Sequence, residues 1–409
     1  MSSETEWKRI RGRPQFMHLC CLSFGTVLFY MVFKLCSPLQ TNDLIEKRDA
    51  ATSAINKLAS QRQSGGPLFR ETIAGVDVMW QGDGDERFGS WRGILFVAHG
   101  CSHSHTDFWA PDDTICPECM GLPEERAIVK LAIDYNLVVV ALSSQDRGSK
   151  CWSAQDGSIV AEVLKAMQSR LQASLVGRAN NEQFVADDRA PPSPPILAFG
   201  ASSGGYFVQT ELAKYMEAAG LGLDGIIGQI AGRALDVSEL KNKEKLTCIV
   251  YLTMNRDERT NRAAASAVQQ LKEGMKIVEH IRLPPLPVSE SFFVDRIGSD
   301  IYSNQESKTM VQALRTAGLL DNSGFITADP RQSNWRSVLQ AYAKGGDSLV
   351  ADRSPLSEVL NAAYGMHEMT RNGVKEALEL CRLGSREAGT PNFLDSVYKI
   401  MYKPTNGNA

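Results

Sequence analysis

The sequence predicts an α/β fold, a mainly parallel, doubly wound sheet with helices on both faces. Three observations carry that expectation. First, short continuous apolar runs recur, among them "GILFVAHG" (93–100), "LVVVALSS" (137–144), "DGIIGQIAG" (224–232) and "TCIVYLTMN" (247–255). Their length and all-round hydrophobicity suit strands buried on both faces. Second, the segments between them carry apolar residues at three- and four-residue spacing, as amphipathic helices do. Third, strand and helix patterns alternate at βαβ spacing, and right-handed crossovers turn that alternation into a parallel sheet.

Each element follows in order. "ETIAGVDVMWQ" (71–81) alternates enough for a strand, and "PEERAIVKLAIDYN" reads as a helix opened by Pro123. "DGSIVAEVLKAMQSRLQASL" is a second helix, and "GYFVQTELAKYMEAAG" a third, stopped by Gly220. "RAAASAVQQLKEGM" is a further helix, and "KIVEHIRLPP" a last strand. Residues 286–360 break the rhythm with a helix, a turn and another helix, as an inserted helical cap would.

Upstream, residues 1–15 are basic, with Lys8, Arg9, Arg11 and Arg13, and residues 16–36 are long and apolar enough for one transmembrane helix. The charge bias places the N-terminus in the cytosol and the remaining chain, lumenal or extracellular, across the membrane. Residues 37–70 read as a polar stalk, 71–285 as the α/β core, 286–360 as the cap, and 361–409 as a C-terminal helix and tail. With a net charge of −3 over 409 residues, no basic field advertises nucleic acid. Composition leaves the oligomeric state open.

The stretch "ILAFGASSGGYFVQTELAKYM" (196–216) puts two serines among three glycines where a buried strand meets a helix. Gly200-x-Ser202-x-Gly204 matches a nucleophile elbow in its required strand–turn–helix context. Ser202 is the candidate nucleophile, and Gly200 and Gly204 are the elbow glycines that leave room for the turn. Ser203 fits the frame less well. A serine needs a base, and the base needs an orienting acid. Asp257, just past the strand "TCIVYLTMN", is the candidate acid, with Glu258 as its rival. His367 in "AAYGMHEMT" is the candidate base, because a loop imidazole can reach the end of a sheet, whereas His280 lies inside a strand. The oxyanion donors expected are the Ser203 amide and that of Gly100 or Cys101 in "VAHGCSHSHTDFW". Such chemistry needs no cofactor.

With these residues in place the chain resembles the α/β-hydrolase superfamily over about residues 71–285 plus the last helical segment. More narrowly, "HGCSHSHTDFW", "CPECMGLPEER", "FGASSGGYF" and "YGMHEMT" resemble a plant- and alga-type group of α/β-hydrolase-like proteins. The resemblance implies a hydrolase fold with a Ser-His-acid site and no particular substrate.

One loop holds Cys101, His103, His105, Cys116 and Cys119. Three readings are open: a disulfide, in the Cys116–Cys119 clip or between Cys101 and Cys151, or else unpaired structural thiols; a structural zinc held by Cys101, His103, Cys116 and Cys119; or a redox dithiol. Phe108 and Trp109 nearby suit a core or lid. The leading expectation for function is a membrane-anchored serine hydrolase acting on a small-molecule or acyl-lipid ester, thioester or amide. A non-catalytic binding or scaffold protein is the alternative, and a zinc- or thiol-dependent activity at the Cys-His loop a second one.

Overall fold

In the computed structural model the described residues are 66–82, 93–181, 193–240, 245–344 and 349–384. All of them belong to the unit Gly65–Ala409. The expected basic N-terminus, transmembrane helix and most of the stalk lie outside them. No helix among the described residues is long and apolar enough to cross a membrane.

Eight strands form one sheet: β1 (Leu68–Ile73), β2 (Val76–Gln81), β3 (Gly93–Ala98), β4 (Leu137–Leu142), β5 (Ile196–Ala201), β6 (Gly225–Gln229), β7 (Cys248–Met254) and β8 (Ile277–Leu283). Their spatial order is β1-β2-β4-β3-β5-β6-β7-β8. β1 and β2 are antiparallel, β2 meets β4 antiparallel, and every later pair is parallel. The expected mainly parallel sheet is therefore present, and its order with flanking helices fits the α/β-hydrolase fold. In β3, β4 and β5 every residue is buried, as the continuous apolar runs require.

The first strand departs from expectation. Residues 71–81 are not one strand but most of a β1–β2 hairpin, which begins at Leu68, inside the expected stalk. Ala74 and Gly75 turn the chain with φ of 51° and 83°. A tight hairpin turn of this kind needs two left-handed residues, which Asn-Gly or Asp-Gly ordinarily announces and Ala-Gly does not.

Ten helices among the described residues complete the unit. α1 (Pro123–Asp134) and α10 (Val374–Gly384) cover one face of the sheet, and α2 (Gly157–Asn181), α3 (Ser203–Thr210), α4 (Leu212–Ala218) and α5 (Glu258–Leu271) cover the other. Strand alternation sorts the core between them: Ile94, Phe96 and Ala98 face the second group, while Leu95 and Val97 face the first. The helix expected over 205–220 breaks at Glu211 into α3 and α4. A disulfide joins Cys248, at the start of β7, to Cys381 on α10. It pins the last helix across a separation of 133 residues, where loop closure alone is worth roughly 5 kcal/mol in the chain-entropy picture.

Between β8 and α10 lie α6 (Phe292–Ile297), α7 (Asn304–Thr316), α8 (Trp335–Leu339) and α9 (Pro355–Tyr364). These helices enclose a third apolar cluster of their own, with Phe293, Met310, Trp335, Leu356 and Leu360. Charge fastens it to the core. The Glu124 side chain on α1 is fully buried and accepts from Arg296 of α6 at 3.0 Å and from Arg371 beyond α9 at 3.0 Å. It also takes the Thr370 hydroxyl at 3.0 Å and the Arg371 amide at 2.8 Å. Truncating one member of such a buried network strands the others without partners, at a cost of about 3–5 kcal/mol. Glu124→Ala is expected to lose that much in urea denaturation, and Glu124→Gln most of it, because the amide leaves two guanidiniums without a counter-charge and sets an N–H donor among donors.

Candidate functional site

The elbow lies between β5 and α3. Ser202 has φ 52° and ψ −114°, a left-handed backbone that an L-residue holds at a cost of order 1–3 kcal/mol. A Cβ on Gly200 would strike the backbone of Gly204, and one on Gly204 would strike the carbonyls of Ala98 and His99. Both positions are thus closed to side chains, and the strand and helix pack tightly enough to fix the strained residue between them. The Ser202 amide donates to the carbonyl of Gln229, the last residue of β6, at 2.9 Å.

Ser202 Oγ lies 3.1 Å from His367 Nε2, and His367 Nδ1 lies 2.7 Å from Asp257 Oδ2. The ionised carboxylate accepts a hydrogen bond from Nδ1–H, which leaves the Nε2 lone pair to accept from the serine hydroxyl. Asp257 follows β7 directly and caps α5 through the Thr260 amide at 3.1 Å. Burial pushes its carboxyl up, but the bonds from His367 and Thr260 outweigh this and hold it at about 2. It remains charged at any pH near neutrality. The rivals lie elsewhere. Glu258 reaches solvent beside Arg262, His280 bonds the Thr253 hydroxyl at 2.6 Å, and Ser203 Oγ accepts from the Trp152 amide at 3.4 Å.

His367 has φ 45°, a second left-handed residue. Its loop is held from two sides. Arg331, reaching in from the segment between α7 and α8, donates to the carbonyls of Met366 at 3.0 Å and His367 at 2.8 Å, and to Glu368 at 3.2 Å. The buried Gln229 side chain pairs with both backbone groups of Thr370, giving to its carbonyl at 2.8 Å and taking from its amide at 2.9 Å. Sequence reasoning missed both residues. Gln229 carried one signal, an amide inside the apolar run "DGIIGQIAG".

The oxyanion donors can be oriented by peptide geometry, because the C=O and N–H of a trans peptide point in opposite directions. The Gly100 carbonyl accepts from His99 Nδ1 at 2.7 Å and from the His103 amide at 3.4 Å. The Cys101 N–H of the same peptide therefore points the opposite way. His99 Nε2 accepts from the Ser144 amide at 3.3 Å, which sets the tautomer, and burial drives this imidazole down to about 3, so it stays neutral. The Ser202 carbonyl accepts from Tyr206 along α3, so the Ser203 N–H of that peptide points out of the helix N-terminus. Both expected loop donors line the cavity at Ser202, and an added Gly100 Cβ would stand 3.7 Å from that of Ser202.

The loop cysteines are paired in the disulfide arrangement, at both of the positions expected for it. Cys101 is bonded to Cys151, and Cys116 to Cys119, so none of these sulfurs is a free thiolate ligand. His103 Nδ1 binds Asp107 at 2.9 Å and His105 Nδ1 binds Ser143 at 2.8 Å. Among the described residues no group of three or more His, Cys, Asp or Glu side chains is placed to hold a metal ion. Phe108 and Trp109 are buried, Trp109 giving its indole N–H to Gln81 at 2.8 Å.

A cavity of about 290 Å³ opens at Ser202, lined by Gly100, Cys101, His103, Glu125, His367 and Glu368 among others. That is small for a ligand site, where ~300–1,000 Å³ is usual. Glu125 on its floor faces Glu358 of α9. Glu125 Oε2 and Glu358 Oε1 are both buried without a hydrogen-bond partner, so the two carboxyls disfavour each other's ionisation. Burial pushes Glu125 up to about 7 and Glu358 above the usual carboxylate range.

No family model matches the chain, and no curated protein matches it. Solved structures it is similar to include a thermostable esterase (15% identity over 55% of this chain and 56% of that one, TM-score 0.30). Another is an α/β serine hydrolase without a lid from Xanthomonas campestris (13%, 55% and 85%, 0.31), and a third a thermostable esterase from Pseudomonas putida (13%, 54% and 75%, 0.31). The chain spans about half the length of the first of these.

Two outcomes follow from this geometry. Arg331→Ala frees the His367 loop, and turnover of an ester substrate is expected to fall about 10–100-fold with KM within about twofold, the signature of a displaced base. An acid whose pKa is raised on folding loses stability as pH climbs from its unfolded value toward its folded one, here from about 4.5 to about 7. Glu358→Gln supplies an amide donor to Glu125 and removes that loss. Its melting temperature is expected to exceed wild type by about 2–4 °C at pH 8, with the gap closing toward pH 5.

Proposed function

We propose that the chain is a serine hydrolase of the α/β-hydrolase type that cleaves a small ester, thioester or amide through an acyl-enzyme. The observation that carries the proposal is the continuous Ser202–His367–Asp257 relay, 3.1 Å and 2.7 Å in its two links. Ser202 Oγ attacks the substrate carbonyl while His367 Nε2 takes its proton. The Cys101 and Ser203 amides receive the charge that develops on the carbonyl oxygen. The tetrahedral intermediate collapses as His367 returns the proton to the leaving group. Water, activated by the same imidazole, then attacks the acyl carbon and releases Ser202. Asp257 holds the ring and balances its transient charge.

The cavity's size and polar lining favour a short acyl group over a long lipid chain. The membrane anchor at residues 16–36 and a lumenal or extracellular catalytic unit remain part of the proposal; the disulfides suit an oxidising compartment.

A fluorophosphonate probe is expected to label wild type and not Ser202→Ala. Asp257→Asn should lower turnover roughly 10⁴-fold by favouring the wrong imidazole tautomer. Wild type labelling no better than Ser202→Ala would remove the enzyme and leave the binding or scaffold alternative.

A further inference from the structure

The cavity holds a second imidazole–carboxylate pair that the relay does not use. His103 lies two residues beyond Cys101, on the loop that carries an oxyanion donor. Its Nδ1 binds Asp107 Oδ2 at 2.9 Å, and the Asp107 side chain is fully buried and also takes the Ser104 amide at 3.1 Å. The ring is therefore fixed. The position of the absent Gly100 Cβ is 3.8 Å from His103 Cδ2 and 3.7 Å from Ser202 Cβ, so both side chains flank Gly100, and both line the cavity. Among the described residues nothing bonds His103 Nε2, although the side chain is only 15% exposed. Glu125 lines the same cavity.

We propose that His103 and Glu125 make the cavity selective for a short acyl group bearing a hydroxyl, with His103 donating through Nε2 and Glu125 accepting. The inference rests on the serine hydrolase reading and names the substrate class of that same site. Burial alone would strip the proton from His103. The bond to Asp107 and the charges of Glu125, Asp107 and Glu368 reverse this and raise it to about 9. Both ring nitrogens thus carry protons at neutral pH, one of them held by Asp107.

The charges around it decide between ligands. A carboxylate or phosphate would meet Asp107, Glu368 and the buried Glu125–Glu358 pair. An ammonium group would meet the His103 imidazolium. A plain alkyl chain would cover a charged N–H and a carboxyl without replacing their hydrogen bonds, which costs about 1–3 kcal/mol or more for each group. A hydroxyl both donates and accepts, and answers the two groups at once. Glu368 does not compete for it, since Arg331, Asn361 and the Met369 amide already engage that carboxylate.

The test compares two 4-nitrophenyl esters that differ only in a hydroxyl against a methyl, the 3-hydroxybutyrate and the 3-methylbutyrate. Wild type is expected to favour the hydroxy ester at least ~10-fold in kcat/KM, since a site built to bind a hydroxyl rejects the analogue without one. His103→Leu should abolish the preference mainly through KM for the hydroxy ester, and His103→Gln, which keeps a donor, should restore part of it. Fluorophosphonate labelling of Ser202 in each variant reports whether the elbow is intact. Wild type turning over both esters within about threefold, or favouring the methyl ester, overturns the proposal with no variant needed. A preference that survives in labelled His103→Leu overturns it too. Turnover and labelling both absent in wild type would overturn the serine hydrolase reading, and this inference with it.

Discussion

Gln229 sets the relation between the two reacting groups proposed here. Its backbone carbonyl receives the amide of Ser202, and its side chain binds both backbone groups of Thr370, three residues from His367. One buried residue at the end of β6 therefore measures the distance from nucleophile to base. A side-chain amide suits the task because it presents one donor face and one acceptor, matched to a peptide's own pair. The sheet register brings it there: β6 lies beside β5, and Gln229 pairs with Ala201, the residue just before the elbow. Fold and site meet in that register. A shift by one residue would turn the amide to the other face of the sheet.

His367, the proposed base, comes from far along the chain, 110 residues after Asp257. The intervening segment makes that return possible by folding on its own apolar cluster and landing on α1 through Glu124. Arg296 and Arg371 converge on one carboxylate from either end of the excursion, so the ion cluster closes the loop that the relay requires. The two buried carboxyls Glu125 of α1 and Glu358 of α9 sit at the same seam.

Much of this was legible in the sequence. The buried strands announced themselves as unbroken apolar runs, and the glycine pattern around Ser202 had the strand before it and the helix after it. Asp257 and His367 were legible because loop positions at strand ends are where side chains can meet above a sheet. What escaped notice has physical reasons. Gln229 and Arg331 act through backbone groups of other residues, and such contacts leave no spacing in a sequence. The Cys248–Cys381 pairing depends on which helix lies over β7, which only tertiary packing decides. The Ala74–Gly75 turn uses a residue that rarely takes that conformation, so the hairpin looked like a single strand. Cys101, His103, Cys116 and Cys119 share a short stretch of chain, yet Cys101 bonds Cys151, Cys116 bonds Cys119 and His103 binds Asp107, pairings that proximity in sequence alone does not choose between.

The left-handed backbone at Ser202 also limits which chemistry could evolve at this corner. A branched β-carbon is rarely tolerated at such a φ, because its second substituent crowds the adjoining peptide groups. Threonine, otherwise the nearest relative of serine, is thus shut out, whereas the unbranched cysteine fits the same backbone. The elbow admits an alcohol or a thiol by shape alone, before any question of reactivity arises.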